Sequence, residues 1–60
     1  MELKPGNLVK ILGKTIEIDG KRHVDPIGIL LHKWDEQLWN ILIFNKISTI
    51  HSVRIQLLQM

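Results

Sequence analysis

Apolar residues in this 60-residue chain recur mostly at every second position, in short runs separated by turn residues. A period of two places successive side chains on opposite faces of a strand. "KPGN" at Lys4–Asn7 reads as a turn, with proline presetting one dihedral and glycine taking the positive one. "LVKIL" follows as a first strand, with Val9 and Ile11 on one face and Lys10 on the other. In Thr15–Ile18, Ile16 and Ile18 share a face opposite Glu17, and Lys21, Arg22 and His23 form a returning arm. Asp19-Gly20 between these arms is a strong hairpin signal, because a type I′ turn needs positive φ at both central residues. Asp25-Pro26 ends the hairpin, since proline cannot donate to a ladder.

A second main strand is expected over "IGILLHK" (Ile27–Lys33), where Ile27, Ile29 and Leu31 alternate with Gly28, Leu30 and His32. "WDEQ" is a polar turn, and "LWNILIF" (Leu38–Phe44) is the third strand. On it Trp39, Ile41 and Ile43 form one face, and Leu38, Leu42 and Phe44 the other, broken by Asn40. Asn45-Lys46 is then the next tight turn, "ISTIHS" the fourth strand, "SVR" (Ser52–Arg54) a single 3₁₀ turn and "IQLL" the fifth strand. A helix over Glu36–Phe44 is disfavoured by the β-branched residues and the bracketing turns. The expected fold is all-β: one domain over residues 1–60, a small five-stranded SH3-like barrel with a hairpin-like first loop and a 3₁₀ turn before the last strand. Closing or nearly closing the barrel would also protect its apolar strand edges.

Composition supports strands. Ten Ile, nine Leu and three Val stand beside no Ala and no Tyr. A chain this short buries only about 60% of its unfolded surface. Without cysteine it has neither a disulfide nor a thiolate metal ligand. Stability must therefore come from a dense core or from association. The start "MELKPGN" does not resemble a signal peptide, and no run approaches the ~20 apolar residues that span a bilayer. A soluble, non-secreted, non-membrane protein is expected. The net charge of +2 permits nucleic-acid contact without arguing for it.

Several stretches resemble the short SH3-like barrel proteins of tailed bacteriophages, especially those of cyanophage type. Gly6 to Ile11 match the opening of that pattern, Gly28 to Leu31 the second strand, Ile41 to Lys46 the third strand and its turn, and His51 to Leu57 the end. Two departures stand out: Asn7 replaces the usual acidic residue, and the late turn lacks its usual glycine. The functions of these proteins are mostly unassigned. The resemblance implies an accessory virion component or a small host-directed factor, placed in the virion or the host cytoplasm.

Candidate chemistry is sparse. No nucleophile, base and orienting group are arranged for catalysis, so no enzyme is expected, and no cofactor or small-molecule substrate. His23, His32 and His51 lie in different elements without metal-ligand spacing, and surface histidines are the expectation. The outward faces of the second and third strands are too apolar for a free barrel. They mark Leu30, Leu42 and Phe44, together with Trp34 at a loop tip, as a protein-interaction set, with the protein's own copies among the expected partners. The alternative on that face is cover from the hairpin or from Met1–Leu3. If the loops line one groove, as in SH3-type barrels, Trp34, Asp35, Glu36, Arg22 and Val53 meet there. The alternative partner is RNA or DNA, held by Lys14, Lys21, Arg22 and Lys33, although Glu17, Asp19 and Asp25 dilute their field.

Overall fold

A computed structural model describes residues 3–58. Its elements are β1 (Leu8–Ile11), β2 (Thr15–Ile18), β3 (Lys21–Val24), β4 (Ile27–Lys33), β5 (Leu38–Ile43), β6 (Lys46–His51), a 3₁₀ turn η1 (Ser52–Arg54) and β7 (Ile55–Leu57). They form a five-stranded antiparallel sheet in the order β6-β5-β4-β1-β7 and a two-stranded sheet of β2 and β3.

Turn chemistry sets the connections. Gly6 has φ 91, and the Asn7 amide donates to the Lys4 carbonyl at 3.1 Å. The Asn7 side-chain oxygen accepts from the Lys4 amide at 2.8 Å, an acceptor role that an acidic residue there would also fill. Asp19 (φ 52) and Gly20 (φ 76) make the expected left-handed pair between β2 and β3. Asp25 ties the base of that hairpin. Its amide donates to the Lys14 carbonyl (2.9 Å), and its carboxylate accepts from the Gly13 amide (2.8 Å).

The buried core is Val9, Ile11, Leu30, Trp39, Ile41, Ile43 and Ile50, with Leu3, Ile16, Ile55 and Leu57 packed against it. Leu3 and the hairpin thus cover the inner face of the sheet rather than its outer face. Met1 lies outside the described residues. Gly28 lets β4 and β5 approach closely. A Cβ there would lie 2.6 Å from Ile41 Cγ2, 2.8 Å from the Leu42 carbonyl oxygen and 2.9 Å from Ile43 Cγ1.

Four expectations are corrected. The five strands do not close into a barrel among the described residues: β6 and β7 are both sheet edges. η1 carries the chain from one edge to the other, which draws the edges within roughly 6 Å at that corner. Among the described residues no β6–β7 ladder seals the seam beyond it. Leu30 is only 1% exposed and belongs to the core. Val9 pairs with Gly28 and Ile41 with Leu30, so the inward register of β1 and β5 turns these β4 positions inward. A bulge between Leu30 and His32 then reverses the alternation, and His32 faces outward opposite Asn40 rather than sharing the face of Gly28 and Leu30. Finally, β5 stops at Ile43. The turn is Phe44-Asn45 (φ 47 and 69), and Lys46 already belongs to β6. A phenylalanine in the left-handed region costs roughly 1–2 kcal/mol. Ring contact with His23, at 4.9 Å between centroids, opposes that cost.

Candidate interaction surface

The registers place one apolar side chain from each of four neighbouring strands, β1, β4, β5 and β6, in a single row on the outer face. Leu8 pairs with Ile29, Ile29 with Leu42 and Leu42 with Ile47. With strands about 4.8 Å apart, the row spans about 14 Å. Leu58 continues it, since its amide donates to the Leu8 carbonyl at 3.0 Å. Exposure rises from half-buried Leu8 and Leu42 through Ile29 (40%) to Ile47 (66%), at the sheet edge.

A polar row borders it. Thr49 Oγ1 donates to Asn40 Oδ1 at 2.8 Å, and Asn40 Nδ2 lies 2.9 Å from His32 Nε2, which accepts in the neutral tautomer protonated on Nδ1. Asn40 thus interrupts the apolar face with polar groups that satisfy one another. On the other side, Ile27 stands opposite Lys10, and Lys10 opposite Gln56.

Trp34 is 65% exposed on a loop held by Asp35. Asp35 Oδ1 accepts from the Gln37 and Leu38 amides at 2.8 and 2.9 Å, while the Trp34 amide donates to the Leu38 carbonyl at 2.8 Å. Asp35→Ala removes two charge-assisted acceptor contacts and is expected to cost about 1–2 kcal/mol. Asp35→Asn keeps the oxygen and most of the stability. Urea titrations of both variants check this, and equal losses would rule it out.

η1 adjoins this loop through the Ser52 amide and the Gln37 carbonyl (2.7 Å), which brings exposed Val53 to the same rim. From there the chain is tied to the hairpin base. The Leu12 amide donates to the Arg54 carbonyl (2.7 Å), and Arg54 Nε donates to the Leu12 carbonyl (3.0 Å). Arg22 does not join Trp34 in this way. Its neighbour His23 rests on Phe44, at the other end of β5, about 17 Å along the strand.

Of the predicted interaction set, Trp34, Leu42 and Phe44 lie outside the core and Leu30 lies within it. Trp34 and Phe44 mark opposite ends of β5, with Leu42 on its outer face between them. The predicted basic set is divided. Lys14 lines a groove of about 260 Å³ with Ile16, Glu17, Ile18, Ile43, Phe44, Lys46 and Ser48. Lys21 and Arg22 pair with Ile18 and Glu17 in the hairpin. Lys33 stands opposite Trp39 at the far end of β4, about 20 Å along that strand from Ile27.

Sequence reasoning missed Leu8, Ile29 and Ile47 as partners of Leu42, and Lys46 as a groove residue. A local signal existed for Ile47 alone: once the turn is centred on Phe44-Asn45, counting back along both strands sets Leu42 opposite Ile47, whereas Leu8 and Ile29 join the row only through the β1–β4 and β4–β5 registers.

The three histidines stand apart. His23 is on Phe44, His32 beside Asn40, and His51 Nδ1 accepts from the Val53 amide at 3.1 Å. Among the described residues, no group of three His, Asp or Glu side chains is placed to hold a metal ion. No helix among them is long and apolar enough to cross a membrane. These features define a small all-β protein with an apolar outer sheet face. Compared with protein-family models, curated proteins and solved structures, the chain matches none at a significant level.

Proposed function

We propose that this protein is a non-enzymatic protein–protein interaction module. The observation that carries this is the apolar row Leu8–Ile29–Leu42–Ile47 on the outer face. A lone antiparallel sheet turns polar residues to water, and this one turns a stripe of branched aliphatic side chains. Covering each is worth up to about 1.5–3 kcal/mol, enough together to offset much of the cost of association. Trp34, on its braced loop, is a rigid aromatic contact at the adjoining rim.

The strand order, the long hairpin after β1 and the 3₁₀ turn before β7 support the finer reading of an SH3-like barrel left open at one seam. The resemblance to small tailed-phage proteins supports a role as an accessory virion component or a host-directed factor, in the virion or the host cytoplasm. The division of the basic residues and the presence of Glu17 in the groove argue against nucleic acid as the main ligand.

Ile29→Glu with Ile47→Glu tests the proposal. Neither side chain is in the core, so the fold is retained. Cross-linking in the native host extract is expected to yield a defined protein partner with the original chain, none with the double variant, and a weakened complex with Trp34→Ala. Unchanged capture by all variants would exclude this surface. A salt-sensitive gel shift with RNA or DNA that is lost on reversing Lys14, Lys21 and Arg22 would instead favour the nucleic-acid reading.

A further inference from the structure

We propose that the groove between β2 and the β5–β6 hairpin holds the C-terminal residue of a partner polypeptide, its carboxylate between Lys14 and Lys46 and its apolar side chain on Ile16, Ile43 and Phe44. This is a second site, on the inner side of the sheet, and it does not rest on the outer apolar row.

The groove carries two lysines at positions where the core side of a strand is ordinarily apolar. Residues directly opposite one another across a ladder share a face. Lys46 stands opposite buried Ile43, Ser48 opposite buried Ile41 and Ile50 opposite buried Trp39, so all three take the inner face of β6. Of the three, Ile50 is buried, Ser48 half-buried and Lys46 exposed. On the facing wall, Ile16 and Ile18 are half-buried on the inner side of β2. Lys14 shares their parity and is half-buried as well. Among the described residues no ladder joins β2 to β6, and the gap between them is the groove of about 260 Å³.

Its positive charges are unspent. Among the described residues neither ammonium lies within ion-pair distance of a carboxylate. Asp25, at the base of the hairpin, accepts from the Gly13 amide instead. Glu17 has the opposite parity to Ile16 and borders the groove from the outer side of the hairpin, across from Arg22. Two cations against one rim carboxylate favour a single negative charge over a polyanion. Beside apolar walls such a charge is screened less than in open water. The site therefore fits one carboxylate joined to an apolar body.

Size points to a chain terminus. Pockets for drug-sized ligands span about 300–1,000 Å³, and this groove is smaller. At a C-terminus the carboxylate and the side chain hang on the same Cα and enter together. Within an extended chain an acidic residue and its apolar neighbour point to opposite faces, and residues two apart are separated by about 6.5 Å. The β6 edge favours a polypeptide over a free aliphatic acid. Ile43 and Lys46 flank a two-residue turn and exchange both ladder bonds, so the amide and carbonyl of Ile47 point off the edge beside the groove. They offer partners to the terminal peptide group, which an aliphatic acid lacks. An inward lysine on an edge strand also discourages strand addition. That role alone predicts no preference for a carboxylate.

Amide NMR of the isotope-labelled chain, titrated with N-acetyl-L-leucine, tests this. Saturable shifts at millimolar ligand are expected, centred on residues 14–18 and 43–48. N-acetyl-L-leucinamide lacks the charge and N-acetylglycine lacks the side chain, and each is expected to bind roughly tenfold more weakly or worse. Lys14→Met and Lys46→Met keep the apolar stems and should each weaken the acid roughly tenfold, while Lys33→Met, at the far end of β4, leaves it unchanged. The ligand comparisons give the answer even where a variant fails to fold. Equal binding of acid and amide, shifts centred outside the groove, or no saturable shift would overturn the inference. Isocaproate, the same side chain and carboxylate without the peptide group, should bind more weakly than N-acetyl-L-leucine, and equal binding would overturn the polypeptide source. Partner capture by Ile29→Glu with Ile47→Glu reads the outer row alone, so the two sites stand or fall separately.

Discussion

Gly28→Ala is expected to lower the midpoint of thermal unfolding by about 10–20 °C, a loss of about 2–3 kcal/mol in a domain this small. The sign is not obvious in advance. Replacing glycine in an extended conformation usually stabilises by about 0.4–1 kcal/mol, because the unfolded chain loses freedom. Here the new methyl would stand 2.6 Å from Ile41 Cγ2 and 2.8 Å from the Leu42 carbonyl oxygen. A side chain can rotate away. The carbonyl belongs to a backbone locked between β4 and β6, and it yields only if the register Ile29–Leu42 opens. Overpacking therefore outweighs the entropic gain. A domain of this size holds only about 3–5 kcal/mol in total. Calorimetry or circular dichroism on heating reads the result, and an unchanged or raised midpoint would refute the close approach of β4 and β5.

Ile41→Ala is expected to leave a large part of the population unfolded at 25 °C. Ile41 is fully buried, and truncating such a residue costs about 2–5 kcal/mol, comparable with the whole stability of the domain. The pair Gly28 and Ile41 makes the prediction sharper. Alanine at 41 has no Cγ2, so it removes one of the three clashes that alanine at 28 would meet, and the added methyl in turn fills part of the cavity. The double variant is therefore expected to be more stable than the sum of the two losses by about 1 kcal/mol or more. Rescue stays partial, because the Leu42 carbonyl remains in place. Ile41→Val keeps a methyl at the Cγ2 position and should couple little. Urea unfolding of the four species, with Ile41→Val as control, measures this, and strict additivity would contradict the packing described.

Much of this architecture was readable from local rules. Asp19-Gly20 between two alternating tetrads specified a hairpin, and the structure has it with the expected residues. The span Ile27–Lys33 and the inward set Trp39, Ile41 and Ile43 followed from period-two alternation bounded by turn residues. The errors have a common cause. Asn45-Lys46 reads as the turn because asparagine tolerates the left-handed conformation, yet Phe44 also adopts it, where His23, twenty-one residues earlier, meets its ring. Leu30 was assigned outward because an isoleucine–leucine strand with two apolar faces gives no internal indication of which face is covered. The bulge after Leu30 inserts a residue against β5, which no pattern within β4 reveals.

The interaction surface divides in the same way. Trp34 was identifiable by itself, because a tryptophan in "WDEQ" sits on a turn whatever surrounds it. Leu42 was identifiable as facing away from Trp39. The row that joins Leu42 to Leu8, Ile29 and Ile47 depends on the registers of three ladders at once, and one residue of slip in any of them would scatter it to the other face.

Local alternation, turn residues and composition by themselves determined an all-β chain, its strands to within a residue or so, its two tight hairpins and the core face of β5. These follow from backbone sterics and the two-residue period, which act over a few neighbours. Tertiary structure alone decided which face of β4 is inside, where the outer apolar row runs, and that β6 and β7 are the two edges of a sheet left unclosed among the described residues. Those outcomes depend on ladder register and on η1 carrying the chain from one edge to the other, contacts between residues far apart in the chain whose partners no local pattern specifies.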